Sequence, residues 1–200
     1  MLQIFKAAFY NMFIDPLLAG LKRSVAEKVT GATEVIDVAC GTGTLACALA
    51  AGADHVTGID LDEGLISFAS RRALKRKIRN VSFKVLDAAD LTTYRDTEFD
   101  AAVTSMSIHQ FNEELALRIL SDMKRIARRI IIADYNCPMK AGFSSVVANS
   151  IERMAGGDHY RNFRNYMSRG GIRWFTENAG LEIKSETVKG NGVFVSVVCE

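Results

Sequence analysis

Two hundred residues and 22.0 kDa fit one domain of ordinary size, and 48% apolar against 24% charged residues is the balance of a globular chain with a sizeable core. A formal net charge of +2, from 25 basic and 23 acidic side chains, lacks the basic excess of a non-specific nucleic-acid binder. No run approaches the ~20 apolar residues of a membrane span, the start Met-Leu-Gln-Ile-Phe-Lys lacks the pattern of a signal peptide, and two prolines leave no room for Pro-rich linkers.

In chain order, Leu2 to Val29 reads as two helices broken near Asp15-Pro16, a helical cap over residues 1–30. Val35-Ile36-Asp37-Val38 is a first strand after Gly31, and the Ala/Leu-rich stretch Thr44 to Ala51 a helix. His55 to Ile59 is a second strand that ends at Asp60. Asp62 caps the next helix, where Ile66, Ala69 and Ala73 recur at helical spacing. Val81 to Leu86 and Phe99 to Thr104 are the third and fourth strands, Glu113 to Ala127 a helix and Ile130 to Ala133 the fifth strand. Leu181 to Val188 and Val193 to Cys199 flank Lys189-Gly190-Asn191-Gly192, the signature of a hairpin. Strand–helix alternation predicts a Rossmann-like, doubly wound α/β sheet: seven strands, mostly parallel, closed by a C-terminal antiparallel hairpin, in a single domain over residues 1–200.

The strongest local signal is Asp37-Val-Ala-Cys-Gly41-Thr-Gly43-Thr-Leu-Ala46, which leaves one strand and enters a helix. Glycines at 41 and 43 let the backbone turn tightly and meet a ligand without Cβ interference. The second strand then ends in Asp60, where a carboxylate can accept the hydroxyls of a ribose. A tight turn beside an exposed acid is the plainer reading, but the strand–turn–helix–strand context favours a nucleoside site. The spacing Gly41-x-Gly43-x-x-Ala46 also satisfies the dinucleotide fingerprint, so an NAD(P)-binding oxidoreductase stays open at this point. Asp37 would repel a pyrophosphate and suits a cation. Asp87, after the third strand, suits an adenine amino group, and a plain dinucleotide fold does not require the hairpin.

These residues resemble the class I S-adenosylmethionine-dependent methyltransferases over about Val35 to Glu200. Val35-Ile-Asp-Val-Ala-Cys-Gly-Thr-Gly is similar to that family's first motif, Val56-Thr-Gly-Ile-Asp-Leu-Asp-Glu-Gly to the next and Phe83-Lys-Val-Leu-Asp87-Ala88 to the adenine-binding motif. Phe99 to Ser105 is similar to the strand beneath the methyl donor, and Gly171 to Leu181 to the last helix and turn. Short length and a helical start resemble the ubiquinone/menaquinone-biosynthesis subgroup. The resemblance implies methyl transfer from S-adenosyl-L-methionine, giving S-adenosyl-L-homocysteine, to a small-molecule acceptor by in-line displacement. It also implies donor contacts at Asp37, Ala39, Gly41, Gly43, Asp60, Leu61, Asp87, Ala88, Thr104 and Ser105. Residue 39 is often glycine in the family and is alanine here. A cofactor-binding module without turnover is the further alternative.

On the acceptor side, His109 follows the fourth strand at the edge where open α/β sheets bind ligands, and is the candidate base or orienting group; a loop histidine satisfying a carbonyl is the plainer reading. The resemblance implies an acceptor-pocket insertion over residues 136–175. Tyr10, His159, Tyr160 and Trp174 join His109 as candidate substrate contacts, with Phe9, Phe13 and Phe163 behind them, although aromatics at helical spacing more often serve the core. Arg71 to Arg79 reads as the solvated face of a helix. Cysteines 40, 47, 137 and 199 show neither Cys-x-x-Cys spacing nor a paired histidine, so no metal site and no disulfides are expected, and Cys40 reads as a packing residue. A cytoplasmic protein that engages neither membrane nor nucleic acid is the resulting expectation; oligomeric state stays open.

Overall fold

The computed structural model describes residues 18–200. Most of the expected pair of N-terminal helices, with the break at Asp15-Pro16, lies outside the described residues. From the first described helix onward the elements are α1 (Ala19–Glu27), β1 (Ala32–Val38), α2 (Thr44–Leu49), β2 (Ala53–Asp60), α3 (Glu63–Lys75), β3 (Val81–Val85) and β4 (Phe99–Ser105). A short 3-10 turn (Ile108–Gln110) leads to α4 (Glu113–Ile126) and β5 (Ala127–Tyr135). Three helices follow: α5 (Phe143–Ala155), α6 (Gly157–Arg169) and α7 (Ile172–Asn178). The hairpin of β6 (Ile183–Lys189) and β7 (Phe194–Cys199) ends the chain.

The described strands form one seven-stranded sheet in the order β3-β2-β1-β4-β5-β7-β6. The first five run parallel, and β7 lies antiparallel between β5 and β6. This is the expected Rossmann-like sheet with its closing hairpin. Strand order reverses between β1 and β4, and at such a reversal the loops leave in opposite directions and open a crevice at the carboxyl ends of the strands. The central strands are covered on both faces, which is why they read as unbroken apolar runs: Val35, Ile36 and Val38 of β1 and Ile131 and Ile132 of β5 are fully buried.

The helices carry their own start signals. Asp62 accepts from Leu65 N at 3.0 Å and caps α3, and Ile66, Ala69 and Ala73 form its buried face. Asn112 caps α4 in the same way, with Glu113 and Glu114 in the first turn and Lys124 and Arg125 in the last, each charge suiting its end of the helix dipole. The buried stripe Ala116, Ile119, Leu120, Met123 and Ile126 fastens α4 to the sheet; each of its larger side chains contributes roughly 1.5–3 kcal/mol.

Several boundaries differ from the sequence reading, and two of them have a clear physical reason. Strand β5 is longer than Ile130 to Ala133. Ala127 is both the C-cap of α4 and a paired strand residue opposite Phe99, so the chain passes from helix to strand without a loop. Helix α2 stops at Leu49 rather than Ala51, because Gly52 N turns back onto Leu49 O at 2.9 Å.

The turn from β1 into α2 is held by close packing. Gly43 has φ +68, and a Cβ there would lie 2.6 Å from Ala69 Cβ and 2.8 Å from the Phe83 ring. Gly41 has φ +54, and a Cβ there would meet nothing within 4 Å. Gly43→Ala is therefore expected to lose roughly 2–4 kcal/mol, from left-handed strain plus overpacking. Gly41→Ala should lose only about 1–2 kcal/mol, from strain alone. Urea unfolding of the two variants checks this; equal losses would contradict the packing argument.

Candidate active site

The carboxyl ends of β1, β2 and β3 each bring an acid to the crevice. Asp37 lies near the end of β1, paired in register with Gly58 on one side and Val103 on the other. It is 1% exposed, and its Oδ2 has no hydrogen-bond partner among the described residues. Burial pushes its pKa up to about 7; the charge of Lys22 on α1 opposes the rise and that of Asp60 adds to it. A buried carboxylate oxygen without a partner is costly unless a cation or donor meets it.

Asp60 ends β2 and is held from both sides. Its Oδ2 accepts from Gly41 N at 2.8 Å and its Oδ1 from Asp62 N at 3.0 Å. Both oxygens are fixed in direction and keep lone pairs for a diol. Leu61 is 67% exposed and Val85, opposite Asp60 in the register, is 51% exposed. Leu61 helps line an open depression of about 730 Å³ together with Asp60, Asp62, Glu63, Gly64 and Ser67. Asp87 is exposed, with Oδ1 bonded to Ala89 N at 2.8 Å, and Ala88 is buried beside it. A smaller depression between α7 and β6 lies at the far edge of the sheet from these groups.

Two non-glycine residues hold left-handed backbone in the crevice: Ala39 (φ 57), after β1, and Met106 (φ 57), after β4. Such conformations cost of order 1–3 kcal/mol each and collect where function dictates the path of the chain. Arg72 steadies the turn between them and α3, donating to Thr42 O at 3.1 Å; the rest of the basic run from Arg71 to Arg79 is solvent-facing, apart from the half-buried Ile78 and buried Ala73. Thr104 donates to Val38 O at 2.9 Å and meets Ser107 Oγ at 2.5 Å, so its hydroxyl ties β4 to β1; Ser105 beside it is half-buried. Burial raises the Cys40 thiol far above its usual range, which keeps it a protonated packing group, and all four cysteines are free.

His109 sits on the 3-10 turn after β4 and is 1% exposed. Its Nδ1 lies 2.6 Å from Asp134 Oδ1, and the second oxygen of Asp134 accepts from His109 N at 3.2 Å. Its Nε2 stands 3.5 Å from Glu152 Oε1, an ion-pair separation without a hydrogen bond. Burial disfavours a charge on this ring, but the neighbouring carboxylates of Asp134 and Glu152 outweigh it and hold the pKa up at about 9. Glu152, on α5, also accepts from Tyr135 Oη at 2.7 Å and meets His159 Nε2, on α6, at 2.5 Å. Burial opposes its ionisation, and its contacts with His109, His159 and Tyr135 overcome this and hold its carboxyl well below the usual range.

The rings of Tyr135, His159, Phe163 and Tyr166 lie 4.9–6.3 Å from that of His109. Helix α6 is pinned over the turn by Asn162, which donates to Gln110 O at 2.7 Å, and by Arg169 on Glu113 at 2.9 Å. The structure thus brings His109, His159 and, more loosely, Tyr160 together: Tyr160 is half-buried and stacks near Phe163. Trp174 lies further off, linked to His109 through Phe175 and Tyr166, with Arg169 over its face. Tyr10, Phe9 and Phe13 lie outside the described residues. Sequence reasoning alone misses Lys22, Asp134 and Glu152. Asp134 follows an apolar strand run as Asp37 and Asp60 do, and that signal is enough to find it.

Known methyltransferases are similar to this chain in sequence and in fold. The family described as Methyltransferase domain matches residues 35–129. A demethylmenaquinone methyltransferase of Clavibacter sepedonicus is 33% identical over 107 residues, covering 52% of this chain and 42% of that protein. A ubiquinone/menaquinone biosynthesis C-methyltransferase of Zymomonas mobilis is 24% identical over 147 residues, 70% of this chain and 60% of that one. The chain thus spans about half the length of these curated relatives. Among solved structures, an O-methyltransferase family protein from Burkholderia thailandensis superposes with a TM-score of 0.75 at 16% identity, over 97% of this chain and 59% of that one. Magnesium protoporphyrin IX methyltransferase from Synechocystis, with bound SAH, gives 0.64 at 17% identity, over 94% and 86%. At such identities these structures speak to the fold.

The elevated pKa of Asp37 has a direct consequence for stability. Below about pH 4 the carboxyl is protonated in folded and unfolded chains alike, and its burial carries no charge penalty. As pH rises through about 7 the native state must ionise a buried group, and that stability is lost. Relative to Asp37→Asn, the wild-type protein is expected to lose up to roughly 4 kcal/mol between pH 4 and 8. Urea unfolding of both proteins across that range checks it; parallel pH profiles would contradict the buried-acid assignment.

Proposed function

We propose that this chain, whose residues 35–129 match the family described as Methyltransferase domain and whose fold is that of a solved O-methyltransferase family protein, moves a methyl group from S-adenosyl-L-methionine to a small-molecule acceptor by in-line displacement. When bound, the donor supplies a methyl group activated on a cationic sulfur. The residues of the crevice fit it. The orphaned Oδ2 of Asp37 suits the ammonium of the methionine portion, and this is the observation that carries the reading. The doubly anchored carboxylate of Asp60 suits the ribose diol. Exposed Leu61 offers an apolar face for the adenine, with Asp87 and Ala88 at the adenine edge.

In this reading Ala39, Gly41 and Gly43 line the methionine end, and Thr104 and Ser105 stand near the sulfur. The chain's own contribution is alignment and exclusion of water. Holding donor and acceptor in a near-attack geometry supplies up to ~7–11 kcal/mol of the barrier. Residues 136–175, which carry α5, α6 and the start of α7, form the acceptor side in one domain with the donor site. Buried as it is, His109 acts as a positioning residue that reaches the acceptor through Glu152 and His159. Tyr10, Tyr160 and Trp174 complete the proposed acceptor contacts.

An NAD(P) oxidoreductase is not favoured, because the methyltransferase-domain match covers the glycine turn and a charged Asp37 opposes a pyrophosphate. The reading extends to a cytoplasmic setting, supported by four free cysteines; no helix among the described residues is long and apolar enough to cross a membrane. Calorimetry is expected to show saturable, micromolar binding of S-adenosylmethionine and S-adenosylhomocysteine and none of NAD or NADP. Asp60→Ala should weaken the adenosyl ligands about tenfold or more, because it removes charge-assisted hydrogen bonds. Binding of NAD instead, or adenosyl affinities indifferent to Asp60→Ala, would overturn the site.

A further inference from the structure

We propose that His109, Glu152 and His159 form a binding site for a divalent first-row transition ion, with zinc(II) as its probe. The three side chains come from the turn after β4, from α5 and from α6, and their donor atoms all lie within 4.8 Å of one another. Two imidazoles and one carboxylate are a donor set for zinc and its neighbours, whereas magnesium and calcium take oxygen ligands.

The surroundings are those of ligands already oriented for a metal. Asp134 holds His109 by Nδ1 at 2.6 Å, which turns Nε2 into the cluster, the carboxylate–histidine arrangement that fixes a metal-bound imidazole. That Nε2 is buried and has no hydrogen-bond partner among the described residues. Tyr135 Oη donates at 2.7 Å to Glu152 Oε1, the oxygen that faces His109 Nε2, and so fixes its direction. The charges also close: two neutral imidazoles, the carboxylates of Asp134 and Glu152, and a dication sum to zero. On entry of the ion, the proton that His159 Nε2 shares with Glu152 leaves to solvent, and any proton on His109 Nε2 leaves with it.

Access is one-sided. The His159 side chain is 30% exposed, against 1% for His109 and 6% for Glu152. Three protein ligands leave a fourth position on that open side, the layout of a catalytic rather than a structural zinc site. If the methyl-transfer reading holds, an acceptor hydroxyl taking that position would lose its proton more readily on the metal. The site itself does not rest on that reading.

The test is a calorimetric titration of zinc(II) into the chelator-treated full chain without any adenosyl ligand, so that its failure and that of the donor site are separate results. One equivalent is expected to bind. His159→Ala should weaken it roughly tenfold or more. His55→Ala, at the surface pair of His55 and Glu34, should leave it unchanged. Cobalt(II) loaded into the wild-type protein should give visible d–d bands without the thiolate charge-transfer band that Cys137 would produce, and this decides the matter should His159→Ala fail to fold. No stoichiometric binding, an affinity indifferent to His159→Ala, or a thiolate band would overturn the proposal.

Discussion

The carboxylate of Asp60 accepts the amides of Gly41 and Asp62, and the carboxyl edge of the sheet is organised around that contact. It fastens the turn after β1 to the end of β2, so the chain must pass Ala69 and Phe83 with no room for a side chain at Gly43. It also brings the charge of Asp60 close enough to Asp37 to add to the rise of that acid's pKa. Strain at Ala39 and Met106 is the counterpart on the strands that flank the crevice. A turn held this tightly presents two acids and an exposed leucine in fixed directions, and fixed direction is what a binding site for a polar, charged ligand requires.

The other half of the crevice is organised by charge in a dry setting. Asp134, His109, Glu152 and His159 form a continuous line from the buried end of β5 to the solvent-facing side of α6. Buried carboxylates survive because imidazoles and the Tyr135 hydroxyl meet them, and the aromatic rings around His109 keep water out. Helices α5 and α6 contribute Glu152 and His159, so the way these helices close over the turn after β4 sets the geometry of the acceptor side.

Most of the sheet is legible in the sequence because its central strands are covered on both faces and therefore read as apolar runs, as with Val35 to Val38. Asp62 and the Gly190–Gly192 turn are legible because capping and tight turns demand particular side chains. Strand β5 is underread at its start, where Arg128 and Arg129 interrupt the apolar pattern although the backbone is already paired with β4. The glycine turn and Asp60 stand out as a local motif. The burial of His109 does not, since it is sealed by residues more than twenty positions away. Glu152 carries no sequence signal: it lies on α5, parted from His159 by a glycine pair, and only folding joins them.

The central claim is that one adenosyl ligand lies across the ends of β1, β2 and β3. Hydrogen–deuterium exchange with and without S-adenosylhomocysteine addresses it most directly. Slower amide exchange is expected at residues 39–43, 61–65 and 86–90, with β6 and β7 unchanged. Binding accompanied by protection confined to α7 and β6, or by no protection at the three strand ends, would contradict the account.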